Sequence, residues 1–322
     1  MNDSTIVYLN GLFLPQEQAF VSVLDRGFVF GDGVYEVIPV YGGRPFRLDE
    51  HLQRLNNSLA AIRLPNPMDN HQWRTLLNTL IEKNGGGEQS LYLQLTRGAA
   101  PRDHAFPANT PATVFATSTP LKPVAPELLA SGAAVITLED IRWQYCHIKA
   151  IALLPNILLR QQALDVGAQE AILLRDGLVT EGTSSNIFIV KDGIIKTPPK
   201  GPFLLPGITR DLTLELAAAN GLANQECNFG RDELLLADEA WLASSSRELL
   251  PITTVDNQPI GNGHPGPVWQ EMNRWRRHGH ARCAPMSPLN AVLRVVEGGS
   301  VQAVRCSADQ PLTTEPPSTP SR

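Results

Sequence analysis

Several features are scarce or missing in this chain. No apolar run approaches the length needed to cross a bilayer, and the opening residues, Met-Asn-Asp-Ser-Thr-Ile, lack the charged and apolar regions of a signal peptide. The four cysteines, at positions 146, 227, 283 and 306, show neither paired metal spacing nor a dense disulfide pattern. We therefore expect a cytoplasmic protein with free thiols, no metal site and no membrane association.

Basic residues are fewer than acidic ones. The chain carries 27 Lys and Arg against 32 Asp and Glu, for a net charge of -5, and has no basic cluster with interleaved aromatic residues. Binding to a phosphate backbone needs such a cluster, so nucleic acid is not an expected partner. Gly31-Asp-Gly33 lacks the third glycine of a dinucleotide site, and Ser244 to Ser246 lack the glycines that flank a hydrolase nucleophile.

Hydrophobic spacing predicts a mixed α/β first part over residues 1–118. Short alternating runs indicate strands, and apolar residues at helical spacing predict one helix opened by Asp49 and a second over Asn70 to Lys83. Three prolines, Pro120, Pro123 and Pro126, are typical of a linker, which we place at residues 119–127.

The second part, residues 128–275, combines strands joined by Asp-Gly turns with helices. The predicted helices cover Pro155 to Val166, ended by Gly167, and Thr209 to Ala219, ended by Gly221. The remaining residues, 276–322, contain scattered prolines and six arginines against three acids. Such a composition buries too little surface to fold alone, so we expect a disordered tail that is dispensable for catalysis.

One lysine stands in an otherwise apolar, weakly charged segment, Asp140-Ile-Arg-Trp-Gln-Tyr-Cys-His-Ile-Lys149-Ala-Ile-Ala-Leu-Leu-Pro-Asn156. Apolar neighbours disfavour the ammonium form, which makes the amine a better nucleophile toward a carbonyl and a candidate for Schiff-base chemistry. Glu181, in Glu181-Gly-Thr-Ser-Ser-Asn186, supplies a carboxylate that can pair with a protonated ring nitrogen. The plain alternative is that Lys149 extends from a half-buried strand to solvent.

Six motifs, which follow one another along the chain in the family's order, resemble those of the fold-type IV pyridoxal-phosphate enzymes, and most closely those of the D-amino acid aminotransferases. The lysine segment and the Glu181 motif are two of them, and the others are Asp25-Arg-Gly-Phe-Val-Phe-Gly-Asp-Gly-Val-Tyr35-Glu-Val, Glu50-His-Leu-Gln-Arg54-Leu, Thr96-Arg-Gly and Leu205-Pro-Gly-Ile-Thr-Arg-Asp211. The resemblance implies a two-domain α+β, or mixed α/β, fold with a small N-terminal α/β domain and a larger, β-barrel-like C-terminal domain with helices.

The resemblance also implies the cofactor, pyridoxal 5'-phosphate, and the residues that bind it. Lys149 matches the Schiff-base lysine, which also moves the substrate α-proton, and Glu181 matches the partner of the ring nitrogen. Further cofactor-binding positions implied by the same motifs are Arg54, Ser185, Asn186, Leu205, Ile208, Thr209 and Ser245. Taken without the family, Arg54 is an ordinary helix-face residue and Gly207-Ile-Thr209 an ordinary helix start.

Substrate specificity is implied by the stretch Thr96-Arg-Gly-Ala-Ala-Pro-Arg102-Asp-His104. Arg102 and His104 match the residues with which D-amino acid aminotransferases hold the substrate α-carboxylate, and Tyr35 matches the third. We therefore expect a homodimer that transfers an amino group from a D-amino acid such as D-alanine to 2-oxoglutarate, giving pyruvate and D-glutamate. The alternatives are a branched-chain aminotransferase, an aminodeoxychorismate-lyase-like enzyme, or an idle cofactor-binding or interaction protein.

Overall fold

The structure, a computed structural model, describes residues 4–283. Its helices are α1 (Arg26–Phe30), α2 (Leu48–Ala61), α3 (Asn70–Lys83), α4 (Pro126–Ser131), α5 (Leu154–Asp165), α6 (Ile208–Ala219), α7 (Arg231–Leu235) and α8 (Pro267–Cys283). Its strands are β1 (Ile6–Leu9), β2 (Leu12–Pro15), β3 (Gly33–Tyr41), β4 (Arg44–Pro45), β5 (Gln89–Thr96), β6 (Thr113–Pro120), β7 (Ala133–Glu139), β8 (Glu170–Arg175), β9 (Leu178–Gly182), β10 (Asn186–Lys191), β11 (Ile194–Thr197), β12 (Asn224–Glu226), β13 (Glu239–Ser244), β14 (Glu248–Val255) and β15 (Gln258–Pro259).

The first six strands form one antiparallel sheet in the order β2-β1-β6-β5-β3-β4. The long central pair, β3 and β5, is in register from Gly33 opposite Thr96 to Val40 opposite Gln89. Helices α2 and α3 bury their apolar stripes in the core of this sheet, with Leu55 and Trp73 completely inaccessible to solvent. This packing fixes the face of α2 that carries Arg54.

The remaining strands form a nine-stranded mixed sheet in the order β12-β11-β10-β13-β14-β7-β8-β9, with β15 paired to β14. Strands β9 and β10 are separated along this order although only residues 183–185 connect them in the chain. The sheet must therefore curl so that β9 returns beside β10. That curl produces the predicted barrel-like character and leaves the turn 183–185 at its mouth.

The predicted α+β fold is confirmed, and the predicted helices lie close to their observed bounds. Helix α3 covers Asn70–Lys83, begun by Asp69, whose side chain accepts a hydrogen bond from the Gln72 N–H in a capping box. The first sheet ends at Pro120 and the second begins at Ala133. Of the predicted linker, 119–127, the first two residues belong to β6 and the last two to α4, so only residues 121–125 lie outside helices and strands. The division into two domains at that linker stays a prediction.

Helix α8 continues to Cys283, into the segment 276–322 that we expect to be a disordered tail. The rest of that segment lies outside the described residues. Among residues 4–283, no helix combines the length and the apolar character that a membrane span requires.

Candidate active site

A cavity of about 510 Å³ lies where the two sheets meet. The first sheet and its helix α2 contribute Tyr35, Val37 and Arg54. The second part of the chain contributes four segments, which are the stretch from Arg142 to Leu164, the turn after β9, the entry to α6 and the turn after β13. All of the residues that the sequence assigns to the cofactor line this one cavity, namely Arg54, Lys149, Glu181, Ser185, Asn186, Leu205, Ile208, Thr209 and Ser245.

Lys149 reaches the cavity from the connection between β7 and α5. That connection runs along the start of β3, where the Tyr35 N–H donates to the Lys149 carbonyl (2.9 Å) and the Ile151 N–H donates to the Gly33 carbonyl (3.1 Å). The Lys149 Nζ lies 4.2 Å from the centre of the Tyr35 ring. Burial lowers the pKa of Lys149 to about 8, and the charge of Arg54 adds to this effect while Glu36 and Glu181 oppose it. A substantial fraction of the amine is therefore neutral near pH 8.

Glu181 is buried near the end of β9 and is held by three N–H donors. Arg142 Nη1 lies 2.5 Å from Oε1, while the Asn186 side-chain amide and the Leu205 backbone N–H each donate to Oε2 at 3.1 Å. Burial raises the pKa of Glu181, and Arg142 and the Leu205 N–H oppose this rise. Because all three partners are donors, the contacts favour the ionised carboxylate.

Sequence reasoning missed Arg142, which lies within the lysine-containing segment but was given no role. Its side chain is buried and bridges two carboxylates, with contacts to Asp140 at 2.8 and 2.9 Å in addition to Glu181. It also donates to the Phe203 carbonyl (3.1 Å). The short spacing of Asp140 and Arg142 was the one available signal, but a carboxylate and an arginine two residues apart are common on exposed surfaces.

Arg54 lines the cavity but is also part of a buried triad. Its guanidinium binds both oxygens of Glu36 (2.8 and 2.7 Å) and donates to the Pro206 carbonyl (3.1 Å), while His51 Nδ1 lies 2.8 Å from Glu36 Oε2. Burial alone would raise the pKa of Glu36, but the Arg54 charge and the hydrogen bonds from Arg54 and His51 outweigh it and lower the pKa to about 2. Glu36 thus holds the arginine head in one orientation.

The donors that a phosphate group requires are grouped at one end of the cavity. Helix α6 begins at Ile208 with Gly207 as its N-cap, and no side chain within residues 4–283 caps its first turn. A helix start of this kind presents free N–H groups to an anion. The hydroxyls of Thr209 and Ser245 line the same cavity. A Cβ at residue 207 would lie 2.0 Å from the Asn186 amide oxygen, so a side chain there would displace Asn186, whose amide donates to Glu181.

One polar atom in the cavity wall has no partner within the described chain. The Ser185 Oγ is buried and makes no hydrogen bond to any residue between 4 and 283. A buried hydroxyl without a partner carries a free-energy cost that a bound polar ligand removes. Together with the lysine amine, the buried carboxylate and the uncapped helix start, this hydroxyl fits a ligand with an aldehyde, a ring nitrogen and a phosphate.

A second buried carboxylate, that of Glu170 on β8, connects three segments of the cavity wall. It accepts from Arg160 of α5 (2.9 Å), from Arg247 after β13 (3.2 Å), and from the hydroxyls of Thr183 and Ser184 in the turn after β9. The Glu170 side chain itself is completely inaccessible to solvent. Nothing in the sequence indicated this role, because an isolated glutamate in a strand has no characteristic spacing.

The predicted substrate-binding residues are divided between two places. Tyr35 lines the cavity beside Lys149, and burial raises its pKa to about 12. Arg102 and His104 are exposed in the loop between β5 and β6 and are not among the residues that line this cavity. Within one chain, the structure does not bring these two residues to the lysine.

The class of the protein follows from comparison with known families. Residues 33–255 match the family described as amino-transferase class IV. The chain belongs to this family. It is therefore a pyridoxal-phosphate-dependent aminotransferase of fold type IV, and the predicted enzyme class and cofactor are confirmed.

Two groups of relatives are informative. The chain is 43% identical to the D-alanine aminotransferase of Bacillus licheniformis over 262 residues, which is 81% of this chain and 92% of that protein. It is 37% identical to the D-alanine aminotransferase of Listeria monocytogenes over 271 residues, 84% of this chain and 94% of that protein.

Among solved structures, the branched-chain amino acid aminotransferase of Escherichia coli matches with a TM-score of 0.83 and 28% identity over 88% of this chain and 97% of that one. The branched-chain amino acid aminotransferase of Thermobaculum terrenum, in its PLP form, matches with a TM-score of 0.77 and 26% identity over 88% of this chain and 96% of that one. Amino acids and oxo acids are accordingly the substrate classes of this aminotransferase.

Proposed function

We propose that this aminotransferase transfers an amino group from a D-amino acid such as D-alanine to 2-oxoglutarate, giving pyruvate and D-glutamate. The observation that carries the proposal is the level of identity to proteins named D-alanine aminotransferase, 37% and 43%, against 26% and 28% to the branched-chain enzymes whose fold it shares. The loop sequence Pro101-Arg102-Asp103-His104 adds support, since it matches the carboxylate-binding pattern of the D-specific group.

Within the cavity we assign Lys149 as the point of attachment and as the base that takes the proton from the substrate Cα. When bound, pyridoxal phosphate supplies the carbonyl carbon that the substrate amine attacks and a ring that accepts the electron pair left at Cα. A lysine with a pKa of about 8 is suited to both roles, because its neutral and charged forms are both accessible near neutral pH.

With the cofactor bound, the Glu181 carboxylate would hold a proton at the pyridine nitrogen. The three N–H donors around its carboxylate favour the ionised form, and Arg142 is close enough to oppose the effect of burial. The residues that would hold the phosphate are Ile208 and Thr209 through their backbone N–H groups at the start of α6, Thr209 and Ser245 through their hydroxyls, and Arg54 through its charge. Ser185 contributes the remaining free hydroxyl.

The α-carboxylate is held by Arg102 and His104 of a second copy of the chain, so the active form is a homodimer. Both residues are exposed and do not line the cavity of their own chain. Residues 20–28, which pair with the start of the same loop through Asp25 and Ala99, expose several large apolar side chains. These apolar side chains are Phe20, Val21, Val23, Leu24 and Phe28. A concentration of exposed apolar groups on a folded chain is typical of a subunit interface.

A stereo-resolved screen tests the proposal. The purified enzyme with pyridoxal phosphate is incubated with single D- or L-amino acids and 2-oxoglutarate, and both the oxo acid and the configuration of the glutamate formed are measured. We expect D-alanine to be a substrate and D-glutamate to be the product. Turnover confined to L-leucine, L-isoleucine and L-valine would instead assign branched-chain activity, and no turnover on any amine would favour a non-catalytic role.

A further inference from the structure

The loop that carries Arg102 and His104 is fixed from beneath by a buried arginine. Arg26 Nη1 donates to the carbonyls of Asp103 (2.6 Å) and Ala105 (3.3 Å), which stand on either side of His104. Its Nε donates to the Asp32 carboxylate at 2.8 Å, and the Arg97 Nε donates to the same carboxylate at 2.9 Å. The backbone on both sides of His104 is therefore attached to the body of the protein rather than free in solvent.

The side chains of Arg102 and His104 are less restrained than their backbone. Neither makes a hydrogen bond or an ion pair with another residue in the range 4–283, and each instead contacts the ring of Phe30. The Arg102 guanidinium carbon lies 5.3 Å from the centre of that ring, and the centre of the His104 ring lies 5.5 Å away, tilted by 42°. Arg26 contacts the same ring at 4.8 Å.

Phe30 is the last residue of α1 and is half-buried. The glycine after it, Gly31, adopts a left-handed conformation with a φ of 67° that ends the helix, so the direction of the ring is set by backbone geometry as well as by packing. A ring held in this way gives Arg102 and His104 a common surface to pack against. Its negative π-face attracts the Arg102 guanidinium.

We propose that Phe30 is a positioning residue for substrate recognition, whose ring holds Arg102 and His104 side by side before the substrate α-carboxylate arrives. The inference rests on the proposed function, because it needs Arg102 and His104 to bind that carboxylate. A free arginine side chain must give up rotational freedom when it binds an anion, and a contact that already restricts it reduces this cost. Phe30 thereby strengthens carboxylate binding without touching the substrate.

Three variants of the holoenzyme test the role of the ring. In Phe30→Leu we expect the KM for both the amino acid and the oxo acid to rise roughly twofold to tenfold, the effect of losing a cation–π contact at an exposed site and some of the ordering it provides. The kcat and the cofactor content should stay close to the native values. Phe30→Tyr, which keeps the ring, should restore the native KM, and Phe30→Met serves in place of leucine if leucine lowers the Tm.

Phe13→Leu is the matched control. Phe13 is also half-buried and lies under a cation, with the Lys83 Nζ 5.6 Å from its ring, but it belongs to β2 and has no contact with the loop. Its replacement should leave the KM unchanged even if stability falls. An equal rise of KM in the Phe13 and Phe30 variants, or a fall of kcat alone in Phe30→Leu, would overturn the positioning role.

A double-mutant cycle distinguishes this inference from the proposed function itself. If Phe30 acts through Arg102, then Phe30→Leu should change the KM much less in an Arg102→Ala background than in the native one. Equal changes in both backgrounds would refute the coupling. Turnover of D-alanine by the native enzyme, measured in the same series, tests the proposed function independently. The positioning role of Phe30 can therefore be refuted by a result that still supports D-specific transamination.

Discussion

Arg142 and Glu181 form a buried ion pair at 2.5 Å, and the same guanidinium holds Asp140 through two further contacts. The carboxylate assigned to the cofactor ring nitrogen is therefore stabilised by a residue that lies outside the Glu181 motif in sequence. Removing the Arg142 guanidinium would leave the Asp140 and Glu181 carboxylates buried without this partner, which raises the free energy of the folded state.

Replacing Arg142 with methionine should therefore weaken cofactor binding, lower kcat, and reduce the free energy of unfolding by about 3–5 kcal/mol, the usual cost of breaking a buried ion pair. Cofactor affinity by spectral titration and stability by denaturant unfolding provide the readouts. Arg175→Met is the matched control, since Arg175 lies 3.3 Å from Asp140 and has no contact with Glu181. Equal loss of cofactor affinity in both variants would contradict the role assigned to the Arg142–Glu181 pair.

Lys149→Ala should abolish covalent attachment of pyridoxal phosphate and leave the fold intact. Borohydride reduction of the native holoenzyme, followed by peptide mapping, should place the label on Lys149. Lys191, a surface residue that lies 3.5 Å from Asp238, provides the control, because Lys191→Ala should retain both the label and the activity. A label found on any other lysine would remove Lys149 from its assigned position.

Uptake of cofactor by the apoenzyme should depend on pH through Lys149. Its pKa is lowered to about 8, and only the neutral amine attacks a carbonyl, so the rate of uptake should rise with pH and level off above about 8. Stopped-flow absorbance at a fixed cofactor concentration measures this. A rate that continues to rise up to pH about 10.4, the value for an unperturbed lysine, would show that burial does not lower the pKa of the amine.

The ionisation of Glu36 should make the free energy of unfolding depend on pH. Its folded pKa of about 2 lies below the ordinary value of 4.5, so its contribution is present above about pH 4.5 and is lost as the pH falls toward 2. The difference in free energy of unfolding between the native protein and Glu36→Gln, of the order of 3 kcal/mol near neutral pH, should shrink over that interval. Asp49→Asn, at an exposed pair with Arg74, should show no such trend, and a constant difference for Glu36→Gln would contradict the assignment.

Mixed dimers test whether Arg102 acts on the neighbouring subunit. The Lys149→Ala and Arg102→Ala homodimers should both have low activity at low substrate concentration. The Arg102→Ala homodimer should retain its cofactor and lose activity because its KM is raised. After the two are mixed and allowed to exchange subunits, about one quarter of the native activity should return, because half of the dimers then have one intact site. A mixture of Lys149→Ala with Glu181→Gln should recover nothing, since both residues belong to the same site. No recovery in the first mixture would place Arg102 outside the partner's cavity.

Local patterns in the sequence were sufficient to predict α2, α3, α5 and α6, and the motifs that carry the family resemblance named residues of the cavity. The spacing of Leu52, Leu55 and Leu59 predicts the buried stripe of α2, and the predicted bounds of α3, Asn70 to Lys83, are those observed, because helix periodicity depends on residues within a turn or two of each other. The motifs that contain Lys149 and Glu181 likewise named residues that line a single cavity.

The partners of the charged groups were decided by the tertiary structure. Arg142 and Glu181 are 39 residues apart in sequence, and Arg247 and Glu170 are 77 apart, so their contacts depend on which strands the curled sheet places together. The same holds for Phe30, which meets Arg102 and His104 only because the loop after β5 folds back over α1. A residue's type and its near neighbours determine what chemistry it can perform, whereas the long-range packing that removes water from around it determines its charge, its pKa and its partners.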